Sequence, residues 1–160
     1  MTSSPTKPPT AEATALTMAT AALLEQGRAL DGLSRLLTAG AVMLLLLLAF
    51  FADQMPFGPS ALLAAALALT ALLGLAELYF AFRVGFDAAL FRQLAADPAP
   101  NGLEALDASL AALGLRPATA HSRPLEERIR GARKVLRRQV LCLALQLATI
   151  IITATILALE

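Results

Sequence analysis

The sequence predicts an all-α integral membrane protein. Three transmembrane helices with cytoplasmic helical extensions form an up-down-up bundle, joined by one short cytoplasmic amphipathic helix. Three observations predict this. Apolar residues make up 58% of the 160-residue chain, above the roughly 45–50% of ordinary globular domains. They gather in three runs, Gly40 to Phe51, Ala61 to Ala76 and Val140 to Leu159, that leave almost no polar face, whereas a soluble amphipathic helix keeps one. The helical pattern also continues past each run. A helix over Ser60 to Ala96 would be roughly 55 Å long against a hydrocarbon core of about 30 Å, so it must leave the membrane while still helical.

Met1 to Thr10, with Pro5, Pro8 and Pro9, has nothing apolar to bury and is expected to be disordered. Residues 11–160 then form a single helical membrane domain. From Ala11 to about Ala52 the pattern is helical, and Leu16, Leu23, Leu30 and Leu37 recur every seven residues with Ala19, Gln26 and Leu33 between them. Such a narrow stripe calls for a partner helix; the alternative is a helix lying on the bilayer surface. Packing is favoured because the opposite face, with Glu12, Glu25, Arg28 and Asp31, is not rich in basic residues.

The first span covers about 36–52, short for a bilayer crossing. Two prolines, Pro56 and Pro59, with Gly58 between them, make the next segment a tight turn, and Ser60 can cap the following helix. The second span covers about 60–82, and its helix runs on to Ala96, where Asp97-Pro-Ala-Pro100 stops it. Asn101 with Glu104 resembles a capping box opening a short helix with Leu103, Leu106, Leu110 and Leu113 on one face. Gly114 followed by Pro117 ends it. The last helix starts near Pro124, carries a basic run from Arg128 to Arg138, and continues as the third span over 140–159.

Charge sets the orientation. The turn around Asp53 has no Lys or Arg, whereas the stalk and loop, residues 83–139, hold Arg83, Arg92, Arg116, Arg123 and the basic run. The positive-inside rule makes that segment and the N-terminus cytoplasmic, and the Pro56 turn and C-terminus external. A composition heavy in Ala, Leu and Arg and poor in Lys suggests a bacterial inner membrane. About 35 residues precede the first apolar run, and no small-x-small pattern follows it, which argues against a cleaved signal peptide.

Polar residues inside the spans are few. Glu77 lies about 8 Å inside the cytoplasmic end of the second span if that end is near Phe82. The third span carries Gln139, Cys142, Gln146, Thr149 and Thr153 at helical spacing. Intramembrane acids face a bundle interior, a cavity or a partner. Glu77 is therefore expected to face this stripe, with Gln146, in this subunit or a neighbour, as its favoured hydrogen-bond partner and Thr149 and Thr153 as further interhelical contacts. Three roles fit Glu77: interhelical contact, snorkelling toward headgroups, or a proton or cation site. A lone acid without a second ionisable group in a span makes a poor relay.

Ala81, Gly85 and Ala89 recur every fourth residue and form a smooth helix-packing ledge. Arg83 and Asp87 are spaced to pair on the helix surface. Phe86 and Phe91 lie beyond the interfacial belt and are expected to pack on the cytoplasmic side. Arg130, Arg133, Lys134, Arg137 and Arg138 are expected to contact anionic headgroups or a partner.

Chemistry finds little support. There is no phosphate loop, nucleophile elbow or zinc-protease signature. The single histidine, His121, and the single cysteine, Cys142, cannot build a metal cluster or an internal disulfide. No catalytic residue, cofactor or metal is expected, and no nucleic acid, because no aromatics interleave with the basic run. The expected function is a small, non-enzymatic inner-membrane scaffold or accessory subunit that assembles with itself or a larger membrane complex. The alternative is an oligomeric transporter or pore using Glu77 and the third-span stripe. Membrane lipids are expected partners in either case.

Overall fold

The computed structural model describes residues 11–51, 61–96, 102–114 and 124–159. All the elements in these segments are helices: α1 (Ala11–Glu25), α2 (Gly27–Phe51), α3 (Ala61–Ala96), α4 (Gly102–Ala112) and α5 (Leu125–Leu159). Three helical runs are long and apolar enough to cross a membrane: Ala11–Phe51, Ala61–Ala96 and Leu125–Leu159. The expectations for residues 1–10, the turn from Asp53 to Ser60, the stop at Asp97 to Pro100, the Asn101 cap, Pro117 and His121 lie outside the described residues.

The expected single helix over residues 11–52 is interrupted at Gln26, where α1 gives way to α2. Gly27, among the weakest helix formers, stands at the break, and its carbonyl accepts a hydrogen bond from the Gln139 side chain. At the other end of the chain the Pro124 carbonyl accepts the first bonds of α5, from the N–H groups of Glu127 and Arg128. Gly114 ends α4 in the left-handed region at φ 70°, as its place after the helix suggests. Leu113 sits in that closing turn and is exposed instead of continuing the apolar face of α4.

Helix α3 is central, with α5, α2 and α1 packed along it. The pairings fix the directions. Going up α3, Thr70 meets Gln146 and Glu77 meets Gln139, so α3 and α5 run antiparallel. Gly27 meets Gln139 and Ser34 meets Gln146, so α2 and α5 run parallel.

The buried positions follow a heptad on the three long helical runs. On α3 they are Thr70, Gly74, Glu77, Val84, Ala88, Phe91 and Ala95, and on α5 Ile129, Ala132, Gln139, Leu143, Gln146 and Thr153. Spacings of three and four alternate, which keeps one seam inward along helices of 36 and 35 residues. At one end the seam is an apolar core of Ala21, Leu24, Val84, Ala88, Phe91, Ile129 and Ala132.

The expected leucine stripe of the first helix lies beside its seam, not in it. Thr17, Thr20, Ala21, Leu24, Gly27, Ser34 and Ala41 are buried, while Leu16, Leu23 and Leu33 are exposed and Leu30 and Leu37 are half-buried. Close helix approach selects small side chains at the contact, and the stripe one position away is mostly leucine. Phe91 enters the core as expected, but Phe86 is 40% exposed. Arg83 and Asp87 form no ion pair. Among the described residues the pairs are Arg35–Asp31 at 2.7 Å, Arg92–Glu25, which ties α3 to α1, and Arg128–Asp107, which holds α4 to α5.

Candidate functional site

Two polar layers cross the bundle one heptad apart, and each of the three long helices contributes one residue to each layer. Gly27, Glu77 and Gln139 form the first; Ser34, Thr70 and Gln146 form the second. Seven residues of helix rise roughly 10 Å, so equal spacing on all three helices keeps both layers level.

Gln146 is the hub of the second layer. Its Oε1 accepts from the Ser34 hydroxyl at 2.9 Å, and its Nε2 donates to Thr38 Oγ1 at 2.9 Å and to the Thr70 carbonyl at 3.1 Å. Thr38 in turn donates to the Ser34 carbonyl at 2.7 Å. Every polar atom of the Gln146 side chain chooses a different neighbour, so one amide joins α2, α3 and α5. Gly74 makes this reach possible. A Cβ there would stand 1.8 Å from Thr38 Oγ1 and 2.8 Å from Gln146 Nε2. With only hydrogen at that place, α2 closes on α3, and the Thr70 carbonyl, one turn before Gly74, offers its second lone pair to the amide.

Gln139 is the hub of the first layer. Its Nε2 donates to Glu77 Oε1 at 2.7 Å and to the Gly27 carbonyl at 2.9 Å. Glu77, Gln139, Gln146 and Ser34 are all 0% exposed. Glu77 Oε2 and Gln139 Oε1 are buried with no hydrogen-bond partner among the described residues. With Glu77 as a carboxylate both are acceptors, so the layer has one more acceptor on each side chain than it has donors to fill.

The structure therefore corrects the expected pairing of Glu77: its partner is Gln139, not Gln146. The antiparallel register decides this, because it sets Thr70 beside Gln146 and leaves Glu77 one heptad nearer the basic run. Gln146 keeps an interhelical role with other partners. Thr153 is buried one heptad beyond Gln146. Thr149 is only half-buried, and its hydroxyl donates to the Leu145 carbonyl of its own helix at 2.9 Å, so it makes no interhelical bond.

Within this chain the Ala81–Gly85–Ala89 ledge is not the packing face. Ala81 is half-buried on the seam, but Gly85 has no atom within 4 Å of where its Cβ would stand, and Ala89 is exposed. The close approach falls at Gly74, seven residues before Ala81 on the same seam. Ser34, Thr38, Thr70, Gly74 and Gly27 were not singled out by composition or motif. Their signal was a heptad of small or polar residues, legible only when three helices are read together.

The basic residues lie apart from this seam. Arg130, Arg133, Lys134, Arg137 and Arg138 are exposed on α5. The first four line a groove of about 580 Å³ with Leu16 of α1; Arg138 does not. Among the described residues no group of three or more His, Cys, Asp or Glu side chains could hold a metal ion. No protein-family model matches this chain, and neither the curated proteins nor the solved structures contain a significant match to it.

Proposed function

We propose that the chain is a non-enzymatic integral membrane scaffold or accessory subunit that binds a second copy of itself or a larger membrane protein through the outer face of α1 and the start of α2. The observation that carries this reading is the leucine stripe. Leu16, Leu23 and Leu33 are 37–43% exposed, on the part of the bundle where α5 presents Glu126, Glu127, Arg130, Arg133 and Arg137 outward. Apolar side chains beside charged ones are covered by a partner more readily than by lipid tails.

Membrane placement rests on the outward leucines. In the most apolar windows of the three long helical runs no more than 17% of residues are buried, a surface that lipid tolerates and water does not. The bilayer boundary in this reading passes near the Glu77–Gln139 layer, next to Arg137 and Arg138. Residues beyond it on α3 and α5, with α1 and α4, form the cytoplasmic stalk, and the positive-inside rule sets its side. An inner membrane remains the compartment proposed.

The transporter reading receives less support. A pathway needs polar groups that meet water, whereas Glu77, Gln139 and Gln146 are fully enclosed between helices. The test is mass determination of the complex extracted without denaturation, on the native chain and on Leu23→Ser/Leu33→Ser. A defined oligomer or stoichiometric partner, lost in the double variant, is expected. A native chain that extracts as a lone monomer, or a variant that keeps its partner, sinks the proposal.

A further inference from the structure

We infer that the groove between the start of α1 and the basic face of α5 holds the headgroup of an anionic membrane lipid carrying more than one phosphate. Arg130, Arg133, Lys134 and Arg137 stand at i, i+3, i+4 and i+7, which sets them on one face. They line a groove of about 580 Å³ and cover roughly 10 Å of helix. None of the four is ion-paired among the described residues, whereas Arg35, Arg92 and Arg128 each hold a carboxylate.

Glu126 closes the far end of the groove, leaving an excess of three positive charges along its walls. A single phosphate leaves that excess largely unmatched; two phosphates approach it. The other lining residues select an amphiphile. Leu16 forms the wall from α1, and Ile129 lies beneath, so the groove pairs an apolar side with a cationic one. A soluble anion would use only the second. Arg137 is three residues from Val140, where the long apolar run of α5 begins, which sets this end of the groove at headgroup level. The inference rests on the membrane placement given above; it shares Leu16 with the outer face of α1 and does not involve Leu23 or Leu33.

The experiment is native mass spectrometry of the purified full chain in neutral detergent with three added lipids: diphosphatidylglycerol with two phosphates, phosphatidylglycerol with one, and zwitterionic phosphatidylcholine. The native chain is expected to retain diphosphatidylglycerol about tenfold over phosphatidylcholine, with phosphatidylglycerol between. Arg133→Gln/Arg137→Gln should abolish that preference. Arg138→Gln, a neighbouring charge outside the groove, should leave it in place, and Leu16→Glu, on the opposite helix, should weaken it with the basic run intact. Unchanged circular dichroism keeps each comparison valid for these exposed positions, and a variant that fails it is replaced by Lys134→Gln. Three outcomes overturn the inference: equal loss in Arg138→Gln, displacement of the lipid by millimolar inorganic pyrophosphate, or retention of phosphatidylcholine at the level of diphosphatidylglycerol. The first means surface charge without a groove, the second a soluble-anion site, the third no headgroup selection. None of them bears on the leucine stripe.

Discussion

Around Val84 the bundle is apolar inside, with Phe91, Ile129 and Leu24 packed together, and α5 is charged outside. Around Thr70 the order is reversed: Ser34, Thr70 and Gln146 are inside and Leu44, Leu72 and Leu145 are outside. The same heptad runs through both halves, so the fold does not change between them, only the force that holds it. On the membrane placement we propose, burial in the first half removes apolar surface from water, whereas in the second the lipid outside would be as apolar as any core, and close contact and hydrogen bonds remain to hold the helices. The inversion falls near the Glu77–Gln139 layer, which is where we draw the membrane boundary.

Substitutions in the two halves should differ in their effects. The largest is Phe91→Ala, which empties a buried aromatic site in the apolar half and should cost about 3–4 kcal/mol in denaturant unfolding of the detergent-solubilised chain. Leu72→Ala, removing a side chain of comparable bulk from the outside of the other half, should change stability by less than about 0.5 kcal/mol. If the two changes cost the same, the outer leucines are packed against protein, and the inversion is not a lipid boundary.

Gly74→Ala comes next. Its methyl would meet Thr38 Cβ at 2.9 Å as well as the hydroxyl at 1.8 Å, so a rotamer change of Thr38 does not relieve the clash. The helices must part, with a loss of about 1–3 kcal/mol. Gly85→Ala on the same helix meets nothing within 4 Å and should be neutral or stabilising by up to about 1 kcal/mol. Reversal of this order would restore the Ala81–Gly85–Ala89 ledge as the packing face. Gln146→Leu should cost about 2 kcal/mol, three interhelical bonds at roughly 0.6 kcal/mol each. A neutral result would mean that the polar layer sets register and contributes little to stability.

Much of this architecture was legible in the sequence. The limits of the three apolar runs, the stop at Gly114 and the start of α5 follow from composition and from Gly and Pro chemistry. The inward position of Glu77 follows from the cost of exposing an acid to lipid. What could not be read from one helix at a time was register. Leu16, Leu23, Leu30 and Leu37 make a fine heptad, but α1 and α2 turn the adjacent stripe of Thr17, Thr20, Leu24, Gly27 and Ser34 inward. A rule that puts large apolar residues inside picks the wrong face when small ones permit closer contact. In the same way depth along each helix favours Gln146 as the partner of Glu77, and only the antiparallel pairing of Thr70 with Gln146 sets Gln139 there instead.

The smallest expected effect is the most discriminating for the first layer. Glu77 Oε2 and Gln139 Oε1 are two buried acceptors without a donor, and an unfilled buried acceptor is unfavourable. Glu77→Gln keeps the side-chain length, retains an oxygen for Gln139 Nε2, and supplies an N–H₂ that can donate to Gln139 Oε1. Two amides then satisfy each other, and unfolding free energy should stay level or rise by up to about 1 kcal/mol, with the oligomeric state unchanged. Glu77→Leu removes one of the two acceptors of Gln139 Nε2 and leaves its Oε1 as before, so it should be the less stable of the two. The order Gln above Leu identifies the layer as interhelical contact. Should Glu77→Gln instead unfold the bundle while Glu77→Leu is tolerated, the amide and the acid do not meet as a pair, and the register assigned to α3 and α5 at this level is wrong.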